Sequence, residues 1–111
     1  GMKYKHYAPK AHVTILRGDF DAYRKYVCDH AGPGVWALCF DGEGEQLPVP
    51  FISYSAKEDD AAQARELFSA LRRLDEKGAE TVYARCPHVG GVGLAVYNRL
   101  VRAAAFEVVE L

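Results

Sequence analysis

No stretch of this 111-residue sequence approaches the ~20 consecutive apolar residues that cross a bilayer, so no membrane-spanning helix is expected. Charge of one sign is also missing. Fourteen Lys and Arg stand against fifteen Asp and Glu, which leaves no whole-molecule field to hold nucleic acid or an anionic membrane. Cysteine is scarce. Cys28, Cys39 and Cys86 form an odd, widely spaced set inside apolar segments, the pattern of reduced, partly buried thiols rather than a secreted disulfide framework. The chain does not open with a charged segment, an apolar stretch and a small-residue cleavage site, so no secretory signal is expected and the cytoplasm is the expected compartment. Internal repeats and low-complexity tracts are absent too. What remains is globular composition, 50% hydrophobic and 26% charged, enough for one core and too short for two.

Residues 1–12 carry Lys3, Lys5 and Lys10 beside Tyr4, His6 and Tyr7, contain Pro9 and show no apolar periodicity, which reads as an extended arm before a domain spanning 13–111. Val13 to Leu16 is a short aliphatic strand, and Asp19 can cap a helix whose Phe20, Tyr23 and Val27 share one face. Gly32-Pro33-Gly34 breaks that helix, and Val35 to Phe40 is a strand covered on both sides. Asp41 to Pro50 is irregular and Phe51 to Ser55 the next strand. A connection this short joins two parallel strands only if it is pulled tight, so a non-adjacent or antiparallel pair stays open. From Glu58 to Lys77 the spacing of Ala64, Leu67, Phe68, Leu71 and Leu74 gives a helix. Thr81 to Cys86 is a strand and Pro87 to Gly93 a loop. Leu94, Tyr97, Leu100, Val101 and Ala104 form the stripe of a further helix, and Phe106 to Leu111 a last strand. Strands alternating with helices predict an α/β fold, a Rossmann-like three-layer α/β/α sandwich with about five mostly parallel strands.

Candidate chemistry is sparse. Gly90, Gly91 and Gly93 follow a strand and open a helix, where backbone N–H groups could hold a phosphate, but Val96 occupies the third fingerprint position and there is no Walker lysine. A tight structural loop is the simpler reading. Cys86 and His88 lack the second pair of a closed zinc site, and His6, His12, His30 and His88 are scattered without a nucleophile elbow or a carboxylate partner, so neither metal nor catalytic residues are assigned. The acids Asp41, Glu43 and Glu45 and the run Glu58-Asp59-Asp60 read as solvated turn and helix-start charges. Arg72, Arg73, Arg99 and Arg102 lie off the apolar stripes and read as solvent-facing, with no aromatic stripe for stacking bases, so direct nucleic-acid binding is not expected. The arm, with rings and lysines interleaved, suits an anionic ligand or a partner's cleft, against the simpler reading of a frayed tail.

Three segments together resemble a family. Met2-Lys3-Tyr4-Lys5-His6-Tyr7-Ala8-Pro9-Lys10 resembles the interdomain linker of two-domain L-threonylcarbamoyladenylate synthases, where Pro-Gly precedes the motif, as Gly1 does here in part. Leu71-Arg72-Arg73-Leu74-Asp75-Glu76-Lys77-Gly78 resembles a helix end of the family's C-terminal domain, and Gly93 to Leu100 followed by Arg102-Ala103-Ala104 its most characteristic helix. The resemblance covers essentially the whole chain. It implies a Rossmann-like C-terminal domain of a nucleotidyltransferase that joins threonine, bicarbonate and ATP into threonylcarbamoyl-AMP, the donor for tRNA threonylcarbamoyladenosine. ATP, magnesium and threonine would be held by an N-terminal YrdC-like catalytic domain that this chain lacks, leaving no cofactor here. The implied role is non-catalytic and regulatory, with Lys3, Tyr4, His6 and Tyr7 as linker positions facing ligand in the full enzyme. For Asn98 and Arg99 the resemblance implies a structural part in holding helix to sheet. The competing reading is a stand-alone nucleotide-binding or docking module using the loop from Gly90 to Gly93.

Overall fold

The structure, a computed structural model, describes residues 8–111; Lys3, Tyr4, His6 and Tyr7 lie outside the described residues. Five strands form a single sheet: β1 (His12–Arg17), β2 (Val35–Cys39), β3 (Phe51–Ser53), β4 (Thr81–Arg85) and β5 (Val108–Glu110). Their order is β3-β2-β4-β1-β5 and every pairing is parallel. Three helices cover it: α1 (Phe20–Asp29), α2 (Asp60–Glu76) and α3 (Val92–Ala103).

Side-chain alternation along the strands sorts residues between two cores. Val13 and Ile15 of β1, Leu38 of β2, and Val82 and Ala84 of β4 meet Leu67, Leu71 and Leu74 of α2 and Val96 and Leu100 of α3. Leu16 and Ala37 point the other way, to Tyr23 and Val27 of α1. The three-layer sandwich expected from the alternating pattern is therefore present.

The connection left open in the sequence is a parallel one. Residues 40–50 join β2 to its parallel neighbour β3 through a 3₁₀ turn at Gly44–Gln46, without an α-helix. They manage this because the loop itself covers the sheet: Val49 is buried with the α1 cluster and Leu47 packs beside it. Gly44 permits the tight path, since a Cβ there would overlap the ring of Phe51. The loop thus takes the place a crossover helix would fill.

Helix termini follow local chemistry. Asp19 and Asp59 cap α1 and α2, accepting from the backbone N–H of Ala22 at 2.8 Å and of Ala62 at 3.0 Å. Gly78, with φ +80°, ends α2 in the left-handed conformation that costs glycine least. Two readings of α3 need correction. Of the expected stripe, Leu100 and Ala104 are buried in the core and Tyr97 and Val101 pack against it, but Leu94 is 44% exposed, and Gly93 and Val96 make the first-turn contacts in its place because the helix begins at Val92. Asn98 and Arg99 are exposed, so neither holds the helix to the sheet. Phe106, expected in the last strand, sits with Ala105 in a left-handed turn after α3 and is 73% exposed; β5 starts only at Val108.

Candidate functional site: a basic cavity at the carboxyl edge

In a parallel sheet the chain leaves every strand at the same edge, and a crevice opens where neighbouring strands send their connections to opposite faces. Here that happens between β1 and β4. The loop after β1 runs to α1 on one face, and the loop after β4 runs to α3 on the other. A cavity of about 270 Å³ lies at this edge, lined by Arg17, Gly18, Phe40, Lys57, Arg85, Cys86, Pro87, His88 and Val89.

Its centre is a buried cation. Arg85, the last residue of β4, is 3% exposed, and its guanidinium donates through Nε to Glu43 Oε1 at 3.1 Å, through Nη2 to Glu43 Oε2 at 3.2 Å, and through Nη1 to the Gly18 carbonyl at 3.0 Å. The rings of Phe40, Tyr23 and Phe20 lie 5.3, 5.6 and 5.7 Å from the guanidinium carbon. Burying such a charge is costly unless it is paired and hydrogen-bonded, and this one is both. Glu43 is therefore not a solvated turn charge as the acidic loop suggested; it reaches inward, with its carboxylate also accepting from the Phe40 N–H at 3.1 Å. The Tyr54 hydroxyl donates to the Arg85 carbonyl at 2.9 Å, fixing the strand end from the opposite face.

The rim is built from charged side chains on other segments. Arg17 Nη1 stands 3.6 Å from Glu110, and His88 Nδ1 stands 2.9 Å from Asp60 Oδ1 at the start of α2. Lys57 precedes α2; its backbone carbonyl accepts from Gln63 Nε2, which also donates to the Ala56 carbonyl. Two of the four histidines do have carboxylate partners: His88 meets Asp60, and His12 Nε2 lies 2.9 Å from Glu107 Oε1, whereas His30 meets the Tyr26 carbonyl and His6 lies outside the described residues. Thr14 and His12 hold the Glu107 carboxyl below its usual range by hydrogen bonding. These pairs were invisible in the sequence because their members lie 28 and 95 positions apart.

Cys86 and His88 both line the cavity, where the Cys86 thiol donates to the Pro87 carbonyl at 3.3 Å and burial pushes its ionisation upward. That leaves it a poor nucleophile. Among the described residues no group of three His, Cys, Asp or Glu side chains could hold a metal ion. Gly90, Gly91 and Gly93 adjoin the cavity without lining it. Gly91 caps α3 with φ +57°, and a Cβ on Gly93 would stand 2.6 Å from the His88 carbonyl oxygen, so Gly93 is required by packing. No helix among the described residues is long and apolar enough to cross a membrane. Arg85 was missed in the sequence; a lone arginine closing an otherwise apolar strand was the available signal.

Comparison with known proteins decides the family. Residues 1–105 match the model of the threonylcarbamoyl-AMP synthase C-terminal domain. This chain belongs to that family. It is 35% identical over its whole length to the threonylcarbamoyl-AMP synthase of Pyrococcus abyssi and covers 33% of that protein. With the Bacillus subtilis threonylcarbamoyl-AMP synthase it shares 30% identity over 99% of its length, again 33% of the relative. The chain thus spans about a third of the curated relatives it matches. Among solved structures, Pyrococcus abyssi Sua5 complexed with L-threonine superposes with a TM-score of 0.73 at 27% identity, covering 100% of this chain and 33% of that one. The C-terminal Sua5 domain of a hypothetical Sua5 protein from Pyrococcus horikoshii gives 0.68 at 25% identity, covering 94% of this chain and 100% of that one.

Proposed function

We infer that this domain is the accessory, non-catalytic part of a threonylcarbamoyl-AMP synthase, working beside an N-terminal YrdC-like catalytic domain in the cytoplasm. The observation that carries the reading is the match of the whole chain to one third of its relatives, the third described as C-terminal. The reaction joins threonine, bicarbonate and ATP into threonylcarbamoyl-AMP for tRNA modification. ATP and magnesium belong to the catalytic domain in this reading, since the residues around the cavity offer neither a Walker lysine nor a set of carboxylates suited to the metal.

The domain's part is mechanical. The backbone N–H groups of Lys10 and Ala11 donate to the Asp75 carboxylate at 3.1 and 3.3 Å, which fixes where the arm leaves the sheet. For Lys3, Tyr4, His6 and Tyr7, which precede that root in the sequence, the role in this reading is to face ligand in the full enzyme, where tyrosine rings would exclude water and Lys3 would meet phosphate oxygens. Changing Tyr4 and Tyr7 to Ala in the two-domain protein should lower threonylcarbamoyl-AMP formation while leaving the melting temperature of this domain unchanged. Full activity of that double variant at limiting threonine and ATP would reduce the arm to a tether. The isolated 111-residue chain, given ATP, threonine and bicarbonate, should release no pyrophosphate above blank. Gly93→Val separates this reading from a nucleotide module: it should lower the melting temperature, whereas a normal melt with loss of an ATP-induced thermal shift would favour the module.

A further inference from the structure

The cavity beside Arg85 has a lining of one sign. Arg17, Lys57 and Arg85 contribute, from three separate segments, with the His88 ring beside them, and no Asp or Glu lines it. Glu43 neutralises Arg85 from behind without joining the wall. Arg17 is only loosely matched by Glu110 at the surface, and Lys57 has no ion-pair partner among the described residues. A guanidinium carries five N–H donors. The three contacts to Glu43 and Gly18 occupy one on each nitrogen, leaving one on Nη1 and one on Nη2 with no acceptor among the described residues.

Those two free donors sit on a group that cannot swing, because Glu43, the Gly18 carbonyl and three aromatic rings hold its plane. A buried ion pair contributes little to stability compared with an apolar replacement, so its placement at the wall of a cavity is better explained by what it offers a ligand. A rigid arginine fork with a flexible ammonium beside it matches the oxygens of a phosphate group. The location agrees, lying at the carboxyl-edge crevice where the connections change face. Size sets the upper limit. About 270 Å³ is room for roughly nine waters at ~30 Å³ each, and it falls below the ~300–1,000 Å³ of sites for larger organic ligands.

We propose that this cavity is a binding site for a small phosphate-class oxyanion, held by Arg85 at its floor and by Lys57 and Arg17 at its rim. Pro87, His88 and Val89 of the glycine loop line the site but Gly90, Gly91 and Gly93 do not, and it does not depend on the accessory role inferred above. Calorimetric titration of the 111-residue chain with inorganic phosphate and with pyrophosphate, at fixed low ionic strength, should give saturable binding to one site. Lys57→Gln and Arg17→Gln should each weaken it about tenfold, the loss of one charge-assisted contact, with the melting temperature unchanged. Gly90→Ala, whose Cβ meets open space, should leave the affinity as it was. Arg85→Lys tests the fork directly; should that variant fail to fold, the two rim variants still decide. Absence of saturable heat with both anions, or equal affinity in the Arg17→Gln/Lys57→Gln double variant, overturns the site. Binding lost in Gly90→Ala but kept in the rim variants would move it to the glycine loop and overturn this assignment equally.

Discussion

On the face covered by α2 and α3, the sheet packs mainly aliphatic side chains: Leu67, Leu71 and Leu74 against Val13, Ile15, Leu38 and Val82. On the face covered by α1, a smaller cluster surrounds Tyr23, whose hydroxyl donates to the Tyr83 carbonyl at 2.8 Å, and the ion pair of Arg85 and Glu43 sits beside it. One sheet therefore has a face held by area and a face held by matched polar partners. Area tolerates change in proportion to the volume lost; matched partners fail when either is removed.

Breaking the ion pair should give the largest effect. Glu43→Ala leaves the Arg85 cation buried without its counter-charge, and stability should fall by about 3–5 kcal/mol in urea unfolding. The double variant Arg85→Met/Glu43→Leu should recover most of it; a single-variant loss under ~1 kcal/mol would erase the contrast between the faces. On the aliphatic face, Leu71→Ala should cost about 3 kcal/mol, with no neighbouring substitution able to restore it without refilling the volume.

A third effect depends on pH. Burial, reinforced by Glu43 and Glu45, pushes the Cys39 thiol up to about 12. The unfolded thiol ionises near its ordinary ~8.5, so the stabilisation is complete below that pH and is lost as pH rises toward 12, at up to about 1.4 kcal/mol per unit. Cys39→Ala should flatten the alkaline decline between pH 9 and 11 by that slope. A residual decline should persist from Tyr23 and Tyr54, whose burial also raises their ionisation. The smallest effect is Tyr23→Phe, about 1 kcal/mol for one lost hydrogen bond to a backbone carbonyl.

The aliphatic face was readable from the sequence and the polar face was not, for a physical reason. Leu67, Leu71 and Leu74 repeat at helical spacing, and Val13 to Leu16 is a contiguous run, so local order alone reveals both. Arg85 and Glu43 lie 42 positions apart, and their pairing depends on a loop that crosses the sheet without a helix. Nothing periodic announces such a meeting. The same holds for Asp60 and His88, which the sequence placed only as a helix-start charge and an unpartnered ring. The glycine loop was visible, yet what its Gly93 does is visible only in three dimensions, where the His88 carbonyl crowds the missing Cβ.

Helix α2 touches both ends of the molecule. Near its last turn Asp75 grips the backbone where the arm departs, and at its first turns Asp60 meets His88 while Gln63 holds the carbonyls of Ala56 and Lys57. Seventeen residues without glycine or proline make a strut of about 25 Å with no joint in it. One stiff member therefore carries both the anchor of residues 10 and 11 and the contacts to the rim where Lys57 and His88 stand, so the distance between anchor and cavity is set by a helix length.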